Sequence, residues 1–315
     1  MTYYSTILET IGNTPLVEVS QLSPNPSVRI FAKLEGVNPG GSVKDRVALS
    51  MVTEAENQGI LSPGKTLIEP SSGNTGIGLA MVSRIKGYKL KVVLPANVSI
   101  ERRQLLQVWG AEIIDSPAKE GSNGAVRKAQ RLSKENPDYV FLYQYGNPGN
   151  PKAHFEGTGP EIWKDCPQIT HFVSGLGTSG TLMGVGKFLK EQDPSIQVWA
   201  IEPPAGEVVD GLRSLEDGYI PPIFFDNNGE DLLDRKTVIG PKESIEWTRK
   251  LIDVGIFAGI SSGTAMAGAA RCAASIKEGS IVFVAPDGGW KYLSTGAWTE
   301  DIDVVTERAR HTIYF

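Results

Sequence analysis

Short runs of apolar and β-branched residues alternate along the chain with stretches whose apolar residues recur every three or four positions. The short runs predict β-strands at 29–35, 66–70, 91–95, 111–115, 139–143, 169–174, 197–202 and 281–286. The intervening stretches predict helices at 45–58, 75–86, 100–109, 122–135, 178–191, 242–253 and 263–276. This alternation indicates an α/β fold whose largely parallel sheet is covered on both faces. Ligands of such folds bind at the carboxyl ends of the strands.

Two stretches interrupt the alternation. The Gly-, Pro- and Asn-rich stretch 146–151 predicts a hinge between two α/β halves. The stretch 203–230 is rich in Pro, Gly and Asp and has little periodicity, so we expect a long loop that lines an active site.

Composition narrows the class of protein. The 315 residues are 40% hydrophobic and 21% charged, which fits a globular chain of one large or two ordinary domains. The net charge of −5 gives no electrostatic footprint for nucleic acid or anionic membranes. No apolar run approaches the ~20 residues that span a bilayer. The two cysteines, Cys166 and Cys272, form no CxxC pair, and the first residues do not read as a secretory signal, which together predict a cytoplasmic enzyme.

The three histidines, His154, His171 and His311, lie far apart and in no known catalytic motif. We therefore expect structural or surface roles for them and no metal site. The chemistry must come from another source, and a cofactor is the natural candidate.

The first candidate segment is PGGSVKDR at 39–46, which leads from a predicted strand into a predicted helix with Ser42 as its N-cap. Lys44 then lies in the first turn, where a positive charge opposes the helix dipole. This placement disfavours the ammonium form and suits a nucleophilic amine. A solvated surface lysine is the alternative.

The second segment, 69–76, follows a predicted strand with the sequence EPSSGNTG. Its hydroxyls, amide and backbone N–H groups at a helix N-terminus predict a site for a carboxylate or phosphate. An ordinary capped turn is the weaker alternative.

The third segment, 175–181, reads GLGTSGT after a strand, and its glycines and hydroxyls suit a phosphate. Gly175, Gly177 and Gly180 also spell GxGxxG, and Glu202 ends the next predicted strand. A nicotinamide-dependent oxidoreductase is therefore a rival interpretation. The hydroxyl-rich TSGT favours a single phosphate over a pyrophosphate.

Five motifs in order carry a resemblance to a known family: GNTP at 12–15, PGGSVKDR at 39–46, SSGNTG at 71–76, GLGTSGT at 175–181 and GISSG at 259–263. From about residue 11 to residue 295 the chain resembles the cysteine synthases. These are pyridoxal-phosphate (PLP) enzymes of fold type II, similar to the tryptophan synthase β subunit. The resemblance implies two α/β domains with largely parallel, twisted sheets. One is a smaller, mobile domain at 38–145 with the substrate-carboxylate loop; the other is a larger domain of 1–37 plus 146–315 with the cofactor-phosphate loop.

The resemblance also implies the roles of individual residues. Lys44 would be joined covalently to the cofactor and act as the acid and base at Cα. The other cofactor ligands would be Asn74, Gly177, Thr178, Ser179, Gly180, Thr181 and Ser261, with Ser261 at the pyridine nitrogen. The substrate carboxylate would be held by Ser71, Ser72, Gly73, Thr75 and Gln144. The reaction would be β-replacement on an activated L-serine, through an α-aminoacrylate, to give L-cysteine.

The segment GLRSLEDGYIP at 211–221 resembles the branch of B-type enzymes and O-phosphoserine sulfhydrylases, which carry an arginine here. The forked donors of a guanidinium match a phosphate dianion. Arg213 therefore predicts that O-phosphoserine is the preferred or an accepted substrate; otherwise the substrate is O-acetylserine. A surface ion pair of Arg213 with Glu216 or Asp217 is the alternative.

The physiological sulfur donor stays open among sulfide, thiosulfate and a thiocarboxylated sulfur-carrier protein. A homodimer is what the resemblance implies. The C-terminal tail, with its aromatic residues Tyr314 and Phe315, could dock into the active-site cleft or could be a frayed end.

Two other classes remain besides the oxidoreductase. A PLP-dependent serine or threonine dehydratase, or another β-eliminating enzyme, would share every cofactor residue. A catalytically silent binding protein of this fold would not require Lys44, Asn74 and Ser261, which are all present.

Overall fold

The structure is a computed structural model that describes residues 3–71, 73–98 and 100–311. Ser72 and the tail 312–315 lie outside the described residues. The strands are β1 (Leu16–Glu18), β2 (Val28–Leu34), β3 (Thr66–Pro70), β4 (Lys89–Pro95), β5 (Glu112–Ser116), β6 (Tyr139–Phe141), β7 (His171–Gly175), β8 (Gln197–Glu202), β9 (Arg235–Val238) and β10 (Gly279–Ala285). The helices are α1 (Lys44–Asn57), α2 (Asn74–Lys86), α3 (Ile100–Val108), α4 (Gly121–Glu135), α5 (Gly149–Ala153), α6 (Gly159–Asp165), α7 (Gly180–Gln192), α8 (Pro222–Asp226), α9 (Gly229–Leu232), α10 (Pro241–Asp253), α11 (Ile260–Ser275) and α12 (Ile302–His311).

The chain divides into two compact units, and the first contains residues 3–11 and the described part of Asn38–Asn150. Its sheet has the strand order β5-β4-β3-β6, and all neighbouring strands are parallel. Alternate side chains point to opposite faces of a strand. Leu67 and Val92 pack with α1 and α2 on one face, whereas Ile68 and Val93 pack with α4 on the other. This is the doubly covered parallel sheet that the sequence predicts.

The second unit contains Gly12–Val37 and residues 151–311. Its sheet has the order β1-β2-β10-β7-β8-β9, in which β1 is antiparallel to β2 and the other pairs are parallel. Val173 and Phe283 pack with α10 and α11 on one face. Phe172 and Val282 pack with α6 and α7 on the opposite face.

The bounds of the units differ from the predicted domains 38–145 and 1–37 plus 146–315 in two places. Residues 3–11 lie with the first unit because Leu8 belongs to its core together with Met51. Residues 146–150 lie there too. The Asn147 side-chain amide donates to the Leu142 carbonyl at 2.8 Å, and an added Cβ at Gly149 would lie 3.2 Å from the Met51 Cα.

Two stretches that the sequence predicts to be irregular are partly helical. The predicted hinge at 146–151 runs into α5, and the boundary between the units falls after Asn150, inside that helix. The predicted loop at 203–230 contains a 3-10 turn at Leu215–Asp217, all of α8 and the start of α9. Proline at the first turn of α8 is compatible with a helix start, because the N–H that it lacks would have no intrahelical acceptor.

Among the described residues, no helix has both the length and the apolar character that a membrane crossing requires. Cys166 and Cys272 are both buried as free thiols. Burial raises the pKa of Cys166 to about 11 and that of Cys272 to about 12. Both side chains are therefore neutral thiols at neutral pH, with little nucleophilic thiolate.

Candidate active site

Lys44 is the first residue of α1, and the loop before it contacts the side chain of Asp45. Asp45, fully buried, accepts the backbone N–H of Gly40 at 2.6 Å. A Cβ at Gly40 would lie 2.5 Å from the same carboxylate, so the glycine permits this close approach. Sequence reasoning missed this anchoring role of Asp45.

Ser42 was predicted to be the N-cap of α1, and this detail is wrong: Val43 occupies the N-cap position, with helical dihedral angles. The Ser42 hydroxyl still accepts the backbone N–H of Lys44 at 3.2 Å. The helix therefore begins with Lys44 in its first turn, as the sequence predicts.

The turn that follows β3 leads into α2, and the start of α2 contacts the loop that follows β6. The Ser71 hydroxyl accepts the backbone N–H of Gly76 at 3.1 Å. The Thr75 hydroxyl donates to the side-chain oxygen of Gln144 at 2.5 Å, and both residues are buried. The first unit thus brings together the predicted carboxylate residues Ser71, Thr75 and Gln144, although 69 positions separate the last two in the chain.

The helices α1 and α2 touch closely in this unit. A Cβ at Gly78 would lie 3.1 Å from the carbonyl oxygen of Lys44 and 3.2 Å from the Cβ of Ala48. The absence of a side chain at Gly78 therefore lets α2, which begins at Asn74, approach the first turn of α1.

In the second unit the loop 175–181 runs from β7 to the start of α7. Ser179 is the N-cap of α7 and has a left-handed backbone with φ of 71°. A non-glycine residue in this region costs roughly 1–3 kcal/mol, and such strain is typical of functional sites. The Ser179 hydroxyl is buried and has no hydrogen-bond partner among the residues that the structure describes.

The segment that carries Arg213 packs on this glycine loop. The backbone N–H of Arg213 donates to the carbonyl oxygen of Leu176 at 2.8 Å. A Cβ at Gly177 would lie 2.5 Å from the carbonyl oxygen of Gly211. The Arg213 guanidinium lies over the ring of Tyr219, 5.2 Å from its centroid.

Ser261 lies in the first turn of α11, which is fixed by the segment after β10. The backbone N–H of Gly259 donates to the carbonyl oxygen of Asp287 at 3.0 Å, and the Tyr292 hydroxyl donates to the Asp287 carboxylate at 2.5 Å. Sequence reasoning missed Asp287 and Tyr292. An acid followed by glycines after a strand could have drawn attention to Asp287.

His154 was expected to have a structural or surface role, and it is fully buried. Its Nε2 lies 3.2 Å from the Thr181 hydroxyl, and its Nδ1 lies 2.9 Å from the Thr158 hydroxyl. The imidazole therefore orients a threonine of the glycine loop. His171 packs edge-on against Trp199, and burial lowers its pKa.

The residues of this loop fit the phosphate of PLP. Backbone N–H groups at the N-terminus of the 13-residue helix α7 and the buried hydroxyl of Ser179, which pairs with none of the described residues, are donors that favour a phosphate group. Glu202, which a dinucleotide enzyme would use for its ribose, is instead buried and accepts the Leu215 N–H at 2.8 Å. The geometry therefore favours the single phosphate over the nicotinamide dinucleotide.

The predicted site residues are divided over the two units. Those in the first unit are Lys44, Ser71, Gly73, Asn74, Thr75 and Gln144, and those in the second are Gly177, Thr178, Ser179, Gly180, Thr181, Arg213 and Ser261.

Comparison with known proteins identifies the family. The sequence model of a family described as pyridoxal-phosphate-dependent enzymes matches residues 7–287. The chain is 44% identical to cysteine synthase B of Salmonella typhimurium, over 94% of this chain and 97% of the relative. It is 42% identical to cysteine synthase B of Escherichia coli over the same shares.

Solved structures agree with this assignment. A cysteine synthase from Entamoeba histolytica superimposes with a TM-score of 0.89 at 34% identity, covering 99% of this chain and 96% of the other. An O-ureido-L-serine synthase gives a TM-score of 0.89 at 35% identity, covering 96% and 99%. The chain therefore belongs to the cysteine synthase family of pyridoxal-phosphate-dependent enzymes.

Proposed function

We propose that this protein is a PLP-dependent cysteine synthase that replaces the β-substituent of an activated L-serine with a sulfur nucleophile. The names and full-length similarity of the two cysteine synthase B relatives support this reaction. The structural observation that carries the proposal is the buried hydroxyl of Ser179 at the start of α7, which lacks a partner in the described part of the chain. A cofactor phosphate would supply that partner.

The cofactor ligands would be the residues that the family resemblance implies. Lys44 would form the covalent bond to it, and Asn74 would contact its ring hydroxyl. The glycine loop at 177–181 would bind the phosphate, and the Ser261 hydroxyl would face the pyridine nitrogen. When bound, the cofactor supplies the electron sink for the chemistry at Cα and Cβ. The Lys44 amine would remove the proton from Cα of the amino acid, and its place in the first turn of α1 favours the neutral form that this step requires.

The substrate carboxylate would be held by Ser71, Ser72, Gly73, Thr75 and Gln144. The hydrogen bond from Thr75 to Gln144 supports this assignment, because it fixes the Gln144 side chain so that its amide N–H groups can donate to an anion. The start of α2 adds backbone N–H groups and the positive end of the helix dipole.

Arg213 would bind the phosphate of O-phosphoserine, so that this substrate is preferred or accepted; otherwise the substrate is O-acetylserine. The contact of the 211–213 segment with the glycine loop supports a place for Arg213 near the cofactor phosphate loop. The stacking of its guanidinium on Tyr219 limits the orientations of the forked donors. Sulfide, thiosulfate and a thiocarboxylated carrier protein are the candidate sulfur donors, and the assembly would be a cytoplasmic homodimer.

The test is a direct assay of the purified, PLP-loaded protein with O-phosphoserine or O-acetylserine and sulfide. We expect L-cysteine to form with at least one of these substrates and not with the Lys44→Ala variant. Pyruvate and ammonia formed equally with and without sulfide, and no cysteine, would show an eliminating enzyme and contradict the proposal.

A further inference from the structure

Glu69 is an acidic residue near the carboxyl end of a strand whose five residues are all buried. It is the fourth residue of β3 and is only 1% exposed. Because side chains alternate along a strand, Glu69 points to the same face as Leu67, on which α1, α2 and α3 pack. A carboxylate in such a place is costly unless hydrogen bonds compensate it.

The carboxylate finds its partners in the backbone of the loop that follows β6. One oxygen accepts the N–H of Tyr143 at 2.8 Å, and the other accepts the N–H of Gln144 at 3.0 Å. Tyr143 has a left-handed backbone with φ of 57°, which a bulky side chain adopts only where its surroundings enforce it. The two hydrogen bonds to Glu69 lie at this strained position.

Two amide side chains bind carbonyl groups of the same loop. The Asn150 side chain donates to the carbonyl oxygen of Gln144 at 2.9 Å, and the Asn147 side chain donates to that of Leu142 at 2.8 Å. The backbone of Gln144 is therefore fixed at both its N–H and its carbonyl group. As a result, its side chain meets the Thr75 hydroxyl.

We propose that Glu69 is the positioning residue of the substrate-carboxylate site, since its carboxylate holds Gln144 while its own strand leads into the turn that begins at Ser71. The inference rests on the proposed function for the roles of Gln144 and Ser71. Glu69 does not touch the substrate. It acts through the two amide groups that it accepts.

The charge state of Glu69 provides a readout that a purely structural residue would not have. Burial raises the pKa of Glu69 to about 7, against the opposing effect of the Gln144 and Tyr143 N–H groups. The charged or titratable side chains of the elements on this face are Lys44, Asp45, Arg46, Glu54 and Glu56 of α1, Arg84 and Lys86 of α2, Glu101, Arg102 and Arg103 of α3, and Tyr143 and Tyr145 of the loop. As the pH falls through about 7, Glu69 takes up a proton and one of its acceptor oxygens becomes a donor.

The test compares Glu69→Gln with wild type in the cysteine-forming assay. Glutamine imitates the protonated carboxyl group, so it can accept only one of the two N–H groups. Near pH 8 we expect the KM for the amino-acid substrate to rise by about tenfold with kcat changed less than about twofold. The ratio of the variant's KM to the wild-type KM should fall towards one near pH 6, because Glu69 of the wild type is then protonated. Ionisation of the substrate affects both KM values equally and cancels in this ratio.

The matched control is Leu67→Val, which removes one methylene group from the same face of the same strand. It should lower the melting temperature but leave the KM ratio near one at both pH values. A KM increase in Glu69→Gln that is equal at both pH values would overturn the proposal. The same increase in Leu67→Val would also overturn it.

A second measurement does not depend on activity or on the folding of a variant. Amide hydrogen exchange of wild type, corrected for the intrinsic effect of pH, should show the protection of Tyr143 and Gln144 falling as the pH drops below about 7. Constant protection would contradict the inference. If wild type forms no cysteine but shows this change in exchange, the proposed function fails while the link between Glu69 and the loop stands.

Discussion

The backbone N–H of Arg213 donates to the carbonyl oxygen of Leu176 at 2.8 Å. Leu176 lies inside the glycine loop, so the segment at 203–230 is tied to the loop that we propose for the cofactor phosphate. The contact does not depend on the arginine side chain. Substitution of that side chain therefore leaves the backbone contact in place, which makes Arg213 suitable for a test of substrate choice.

Arg213→Ala should lower kcat/KM for O-phosphoserine by about 10- to 100-fold, because a charge-assisted hydrogen bond to the substrate phosphate is lost. For O-acetylserine, which has no phosphate, we expect a change of less than about threefold. Arg213→Lys is the matched control. It keeps the charge but loses the forked donors, so its kcat/KM for O-phosphoserine should lie between those of wild type and Arg213→Ala. Equal losses on both substrates in steady-state kinetics would rule out a phosphate-binding role.

Thr75→Val should weaken substrate binding more than it slows the chemistry. The valine keeps the shape of threonine but leaves the buried oxygen of Gln144 without the donor at 2.5 Å. A buried group that loses its partner costs about 1–3 kcal/mol, so we expect the KM for the amino-acid substrate to rise about tenfold. Thr75→Ser retains the hydroxyl and should stay within about threefold of wild type. A KM for Thr75→Val that equals that of Thr75→Ser would speak against the clamp.

Gly184→Ala should destabilise the protein. A Cβ at this position of α7 would overlap the carbonyl oxygen of Pro151 and lie 2.7 Å from the Cβ of His154. Overpacking of this kind costs about 1–3 kcal/mol, and each kcal/mol lowers the melting temperature of a folding unit of roughly 150–250 residues by about 2–4 °C.

Gly186→Ala, on the same helix, provides the comparison. Its Cβ would lie 3.1 Å from a methyl group of Val198, which can shift slightly. The helix propensity of alanine offsets this contact by about 0.5–1 kcal/mol. Thermal unfolding should therefore separate the two variants, and equal melting temperatures would refute the close approach at Gly184.

The sequence predicted the parallel α/β architecture because burial on both faces makes the strands nearly continuous apolar runs. The bounds of β3 and β8 agree with the predicted 66–70 and 197–202. β1 and β9 were missed, since strands of three and four residues at the sheet edge, with mostly exposed or half-buried side chains, carry too little periodicity. The short helices α8 and α9 were missed for the same reason.

For the candidate site, the sequence revealed the loops but not the residues that hold them. Lys44 and the glycines can be identified from the sequence because they follow the ends of predicted strands. Asp45 acts within its own loop by accepting the N–H of Gly40. Glu69 and Asp287 act on groups far away in the chain: Glu69 accepts the N–H of Tyr143, and the Asp287 carbonyl accepts that of Gly259 before α11. Such contacts depend on tertiary structure, so a local pattern can at most point to the residue, as the two glycines after Asp287 do, and not to its partner.

The central claim is that Lys44 is the lysine joined covalently to PLP, and its most direct test is borohydride reduction followed by peptide mapping. The protein should be freshly purified after supplementation with vitamin B6, and Lys44→Ala serves as the control. We predict that the reduced cofactor is found on the peptide that contains Lys44 and on no other lysine. An unmodified Lys44, or the cofactor on another lysine, would contradict the account.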